Sequence, residues 1–183
     1  HGILKYENNP DGPNKEIPSN EVEIEGNVVA GFAFTKLVEN SGANSVIPED
    51  LIAETRFPFN VRVWKTDGAD ASQQTPVSGE FLYTITKSTI VTDETTGETS
   101  ATVGSTEPAP IFFKEDGTFD YLLDAVGDKV RALTLVAGET ITIFGLPADA
   151  QFEITEDLTG GALSGWKVVE PENGIATGDV SSF

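Results

Sequence analysis

The chain has 183 residues and carries 30 acidic against 11 basic side chains, a formal charge of -19. Nucleic acid and anionic membrane surfaces are excluded as partners, because both are held by clustered Lys and Arg. With no Cys and a single His at position 1, thiol chemistry, disulfides, multi-His metal sites and a Ser–His–Asp arrangement are excluded too.

In chain order, Ile3 to Asn8 reads as a short strand with Leu4, Tyr6 and Asn8 on one face. A lone strand buries nothing, so it needs a sheet edge, in its own domain or in a neighbour. Asn9 to Asn20 holds Pro10, Gly12, Pro13 and Pro18 among polar residues and reads as a linker. Residues 1–28 are therefore expected to be an N-terminal strand plus linker, and residues 29–183 one domain. Within the domain, strands are predicted at Val29–Val38, Phe57–Trp64, Gly79–Thr86, Ile111–Phe113, Val130–Val136, Thr140–Phe144, Gln151–Thr155 and Trp166–Val169. These runs are rich in Val, Ile, Thr and aromatics, and many alternate apolar with polar. Phe57, Phe59, Val61 and Val63 form one period-2 set. Turn chemistry separates the runs at Asp67-Gly68, Glu115-Asp116-Gly117, Ala137-Gly138 and Leu146-Pro147. Pro48 to Thr55 is the one helical turn expected. Ser88 to Pro110, rich in Thr, Ser, Glu and Gly, reads as a long hairpin or surface excursion, and no internal repeat is present. Short strands with regular turns predict a sandwich.

The block Leu133–Glu156 (LTLVAGETITIFGLPADAQFEITE) resembles the isopeptide-linkage domains of Gram-positive pilins. Those domains carry strand, turn, strand, Leu-Pro turn and a strand ending in Thr-Glu in that order. Phe32–Val38 resembles the family's first strand, and Phe57–Val63, Gly117–Leu122 and Gly165–Val169 resemble later ones. The resemblance spans roughly Phe32 to Val169, leaving Ser88 to Pro110 unmatched. It implies an all-β, immunoglobulin-like (CnaB-like) β-sandwich with an N-terminal strand extension.

The resemblance also implies chemistry. A buried Lys of the first strand attacks an Asn carboxamide of the last strand, a Glu assists, and an amide forms with loss of ammonia. The matching positions are Lys36 and Glu156. A lysine amine is a nucleophile only when neutral, and an apolar core favours the neutral form. The same core keeps a carboxylic acid protonated, able to polarise the amide and shuttle protons. Fixed neighbours supply the effective concentration that an inert amide requires. Phe32, Phe34, Leu37, Phe152 and Ile154 are the apolar types such a site needs. Glu153, taken as sharing the face of Glu156, is the second choice of acid.

The family's last strand ends in the acceptor Asn, whereas Gly178–Phe183 holds none and Asn173 sits in a turn-like Pro-Glu-Asn-Gly. Leu4-Lys-Tyr-Glu-Asn8 carries the pattern of that strand, which makes Asn8 the expected acceptor and Asn27 the second choice. The strand can fold back into its own domain, or insert into the next subunit by β-strand addition and so propagate a fibre. The Pro/Gly-rich linker favours the second. A third arrangement has the closing strand outside these residues and the N-terminus an ordinary tail.

The expected class is a structural subunit of an extracellular, cell-surface filament whose partners are other copies of itself. No turnover enzyme and no cofactor are expected. No apolar run approaches the roughly 20 residues that span a bilayer, so no membrane insertion is expected. No leader segment is read, so a secreted chain would be in its mature form. A ligand-binding β-sandwich adhesin is the alternative, with Trp64 and Trp166 stacking on sugars, although each lies in an apolar strand and reads as core. Asp67–Asp70 and Glu115–Gly117 read as acidic turns in preference to calcium loops. No carboxylate pair stands out for hydrolysis.

Overall fold

A computed structural model describes residues 30–38, 48–67, 70–92, 99–160, 163, 166–168, 171 and 174–182. The expected donor strand Ile3–Asn8, the linker, Asn27 and Asn173 lie outside these residues.

The elements are β1 (Ala30–Thr35), α1 (Glu49–Glu54), β2 (Phe57–Asp67), β3 (Asp70–Pro76), β4 (Gly79–Thr92), β5 (Thr99–Ser105) and β6 (Ala109–Phe113). They continue with β7 (Phe119–Leu123), β8 (Lys129–Val130), β9 (Leu133–Leu135), β10 (Glu139–Leu146), β11 (Ala150–Glu156), β12 (Ile175–Asp179) and β13 (Ser181–Ser182). Two antiparallel sheets form an all-β sandwich. The larger runs β13-β1-β10-β4-β6-β7-β8, with β5 paired to β4; the smaller runs β12-β11-β2-β3, with β9 paired to β2.

The alternation read from the sequence sets which side chains face inward. Phe57, Phe59, Val61 and Val63 of β2 are all buried, and so are Ile141 and Ile143 of β10 and Leu133 and Leu135 of β9. Burying each such side chain contributes roughly 1.5–3 kcal/mol. The register carries the same face across the larger sheet: Phe34 lies beside Ile141, and Phe32 beside Ile143. Phe32 stacks on Phe152 of the opposite sheet at 4.1 Å, which joins the layers.

The reverse face of the larger sheet is organised in rows. Thr35, Thr140, Thr86 and Ser105 are successive cross-strand partners, and so are Phe144, Leu82 and Pro110. Phe112 and Tyr121, also partners, stack at 4.4 Å.

Several boundaries differ from expectation. The predicted Val130–Val136 strand divides into β8 and β9, which join different sheets. The predicted Trp166–Val169 strand is not one: Trp166–Val168 is irregular, and the outermost strand of the smaller sheet is β12. β3, whose apolar residues are Ala71 and Pro76 alone, has no regular apolar alternation and is not among the predicted strands, only its start at Asp70 falling in the predicted acidic turn. For Ser88 to Pro110, β4 pairs antiparallel with β5 from Thr86↔Ser105 to Thr92↔Thr99, as the expected long hairpin requires. The turn after β6 packs against β2, with the Val63 amide donating to the Gly117 carbonyl at 2.9 Å. Gly117 has φ +79°, and a Cβ there would lie 2.3 Å from the Val63 carbonyl oxygen. Only glycine fits that turn.

Candidate functional site: an amine–acid pair in the open seam

Lys36 directly follows β1 and keeps its register. Its amide donates to the Glu139 carbonyl at 2.9 Å, and its carbonyl accepts from Gly138 N–H at 2.8 Å. Two residues after Phe34 and four after Phe32, its side chain points between the sheets. Glu156 ends β11 on the same parity as the buried Ile154, with Phe59 as its cross-strand partner. The two polar side chains therefore converge from opposite layers. Lys36 Nζ donates to Glu156 Oε1 at 2.6 Å, with side-chain exposures of 13% and 9%.

Aromatic side chains enclose the pair. The Nζ lies 4.1 Å from the centroid of the Phe57 ring, a cation–π distance. Phe57 meets Trp166 edge-on at 5.0 Å, and Phe34 meets Phe59 edge-on at 5.1 Å. The low local dielectric strengthens the amine–acid contact. A proton moved along that short bond would exchange ammonium and carboxylate for amine and carboxylic acid, a nucleophile beside an acid.

The pair opens into a cleft of about 460 Å³ whose lining includes Phe34, Phe59, Ile154, Trp166, Val168 and Ala176. The cleft follows the seam between two outermost strands. β13 pairs with β1 only at Ala30 and Gly31. From Phe32 onward no described residue pairs with the outer edge of β1. Since the main chain of Lys36 bonds toward β10, alternation turns the N–H and C=O groups of Ala33 and Thr35 toward the open edge. Neither Asn nor Asp is among the described residues lining the cleft. The arrangement can hold an extended segment by main-chain pairing and present a carboxamide to a nucleophile and an acid.

Lys36 and Glu156 are thus brought together, while Asn8, the expected acceptor, lies outside the described residues. Glu153 requires correction. It stands three positions before Glu156, an odd number, so it lies on the opposite face of β11, across from Arg62. There it lines a shallow depression with Asn60 and Lys114, away from Lys36. Phe57 was read only as core; its place beneath the amine depends on pairing between sheets that strand periodicity does not encode. Trp166 was read as a strand residue and is a wall of the cleft.

Neither tryptophan is among the exposed large apolar side chains of the described residues. Trp64 is buried on the outer side of the smaller sheet, its Nε1 donating to Gln151 Oε1 at 3.1 Å. Trp166 is half-buried against Phe57. Asp116 Oδ1 accepts from the Thr118 amide at 2.9 Å, so its carboxylate closes the turn. Among the described residues no group of three or more His, Cys, Asp or Glu is placed to hold a metal ion. No described helix is long and apolar enough to cross a membrane.

Fold and site together define an antiparallel β-sandwich with a lysine–glutamate pair enclosed in its open seam. Comparison with family models, curated proteins and solved structures found no match for this chain.

Proposed function

We propose that this chain is a structural, pilin-like subunit of an extracellular cell-surface filament, stabilised by an amide bond between Lys36 and an asparagine side chain. The observation that carries the reading is the 2.6 Å contact of Lys36 Nζ with Glu156 Oε1 inside an aromatic seam. The neutral amine attacks the Asn Cγ while protonated Glu156 gives its proton to the carboxamide oxygen, and the carboxylate so formed accepts the proton of the attacking nitrogen. The tetrahedral carbon then collapses: Glu156 gives a proton to the departing nitrogen, ammonia leaves, and the hydroxyl proton returns to Glu156 as the carbonyl re-forms. No oxidant and no cofactor take part. The stretch of β1 beside the cleft that no described residue pairs supports delivery of the Asn on an added strand. Ile3–Asn8 of a neighbouring copy, with Asn8 as acceptor, has the sequence pattern for that role. Head-to-tail repetition of the contact gives a filament.

Intact mass under denaturing conditions tests the reading. A chain lighter by one ammonia supports the bond within one subunit, and a ladder of heat-resistant multimers on denaturing gels supports the bond between subunits. Lys36→Ala and Glu156→Ala abolish either product while the β-sheet circular dichroism persists. Full-mass monomer alone, or ladders unchanged in both variants, overturns the proposal.

A further inference from the structure

We infer that the reverse face of the larger sheet is a self-association surface that takes the same face of a second copy. The argument rests on charge distribution and does not depend on the chemistry of Lys36. In a chain of net charge -19 most of the surface repels a second copy. The outer side of the smaller sheet is charged: Glu153 and Arg62 sit opposite each other in its middle, and Asp179 faces Gln151. The larger sheet differs. Its Thr35–Ser105 row, the parallel row of Ala33, Thr142 and Thr84, and the Phe144–Pro110 row hold no charged side chain. Among the described residues, charge stands at the border of these rows, with Glu80 opposite Phe112, and Lys129 4.2 Å from the Tyr121 ring.

The surface is apolar as well as neutral. Leu82 is 39% exposed at its middle, beside the partly exposed Phe144 and Pro110. Depletion of charge with retention of aromatics is the compositional mark of an interface core. The occupant that suits it is another neutral sheet face. For a chain this acidic, a like copy meets no electrostatic penalty at this face and meets one at most others. Size sets the strength. Six neighbouring strands at about 4.8 Å spacing and about six residues of strand length give roughly 600 Å² per copy. A pair then buries about 1,200 Å², at the weak end of specific interfaces, which suits lateral contact between repeated subunits more than a tight isolated dimer.

Sedimentation equilibrium of the Lys36→Ala chain, from micromolar to millimolar, tests the inference without covalent multimers. The expected result is a reversible dimer that strengthens with added salt, because salt screens the net repulsion. Thr142→Glu or Leu82→Lys weakens it about tenfold or more, whereas Thr177→Glu, exposed on the other sheet, leaves it unchanged. An equimolar mixture of Thr142→Glu and Thr142→Lys chains associates again. A chain monomeric to millimolar, or a dimer indifferent to both Thr142→Glu and Leu82→Lys in folded protein, overturns the assignment.

Discussion

Replacing both members of the Lys36–Glu156 pair is expected to be milder than replacing either one. Removing one partner from a fully buried pair costs about 3–5 kcal/mol, because the remaining charge is uncompensated. Here the side chains are 13% and 9% exposed and the amine retains the Phe57 ring at 4.1 Å. These features reduce the expected cost to about 2 kcal/mol for Lys36→Met or Glu156→Leu alone. The double variant leaves no unpaired charge and fills the same space with apolar atoms. It should therefore be more stable than either single variant by about 2 kcal/mol. None of the three can form the amide, so covalent stabilisation does not enter. Urea denaturation followed by tryptophan fluorescence reads the difference, with Trp166 5.0 Å from Phe57 as the local reporter. A double variant less stable than both singles refutes the claim that the two side chains compensate each other.

Other consequences are separable from the site. Burial, with the Asp124 charge second, raises the Tyr83 hydroxyl above its ordinary value of 10.0. The native state therefore holds a proton that the unfolded state releases, and this contribution is lost as pH rises above the ordinary value. Tyr83→Phe should flatten the alkaline fall in urea midpoint while costing about 1 kcal/mol at neutral pH for the lost 2.8 Å bond to the Leu123 carbonyl; an unchanged alkaline limb contradicts it. Gly117→Ala should cost about 3 kcal/mol, since the methyl meets the Val63 carbonyl at positive φ; a neutral change would mean that the turn readily shifts. Hydrogen bonds from Thr118, Lys65 and Thr159 hold Asp116, Asp149 and Asp157 respectively below the ordinary 3.8. A lowered native value adds stability above the ordinary pKa that is lost as pH falls through it, so the urea midpoint should drop below about pH 4. A flat acid limb shows these carboxylates to be uncoupled from folding.

How far the sequence disclosed this molecule depended on where side chains are large. β2, β10 and β11 announce themselves because their inward positions are Phe, Val, Ile and Leu. β12 does not, because its inward positions are Ala176 and Gly178. A Cβ at Gly178 would lie 2.7 Å from the Phe152 ring, so the space that would hold an apolar signal is filled from the neighbouring strand. β3 holds only Ala71 and Pro76 as apolar residues and is positioned by its pairing with β2. The division of Val130–Val136 between two sheets leaves the pattern of apolar residues continuous, so periodicity joined what the fold separates. Lys36 and Glu156 came from the resemblance, whereas Glu153, expected to share the face of Glu156, lies on the opposite face of β11 because three positions are an odd number of steps.

The amine–acid contact itself was legible only through the resemblance, since its two residues are 120 positions apart and lie in different sheets. That separation bears on what the pair does. Two apolar side chains at these positions would hold the layers together at least as well, because an enclosed ion pair recovers little beyond its own desolvation cost. Phe32 on Phe152 and Phe34 on Phe59 already provide such contacts beside it. Cohesion of the sandwich therefore does not require a lysine and a glutamate at the seam. What the apolar alternative cannot supply is an amine with a carboxylate 2.6 Å away, the pair on which the proposed amide bond rests.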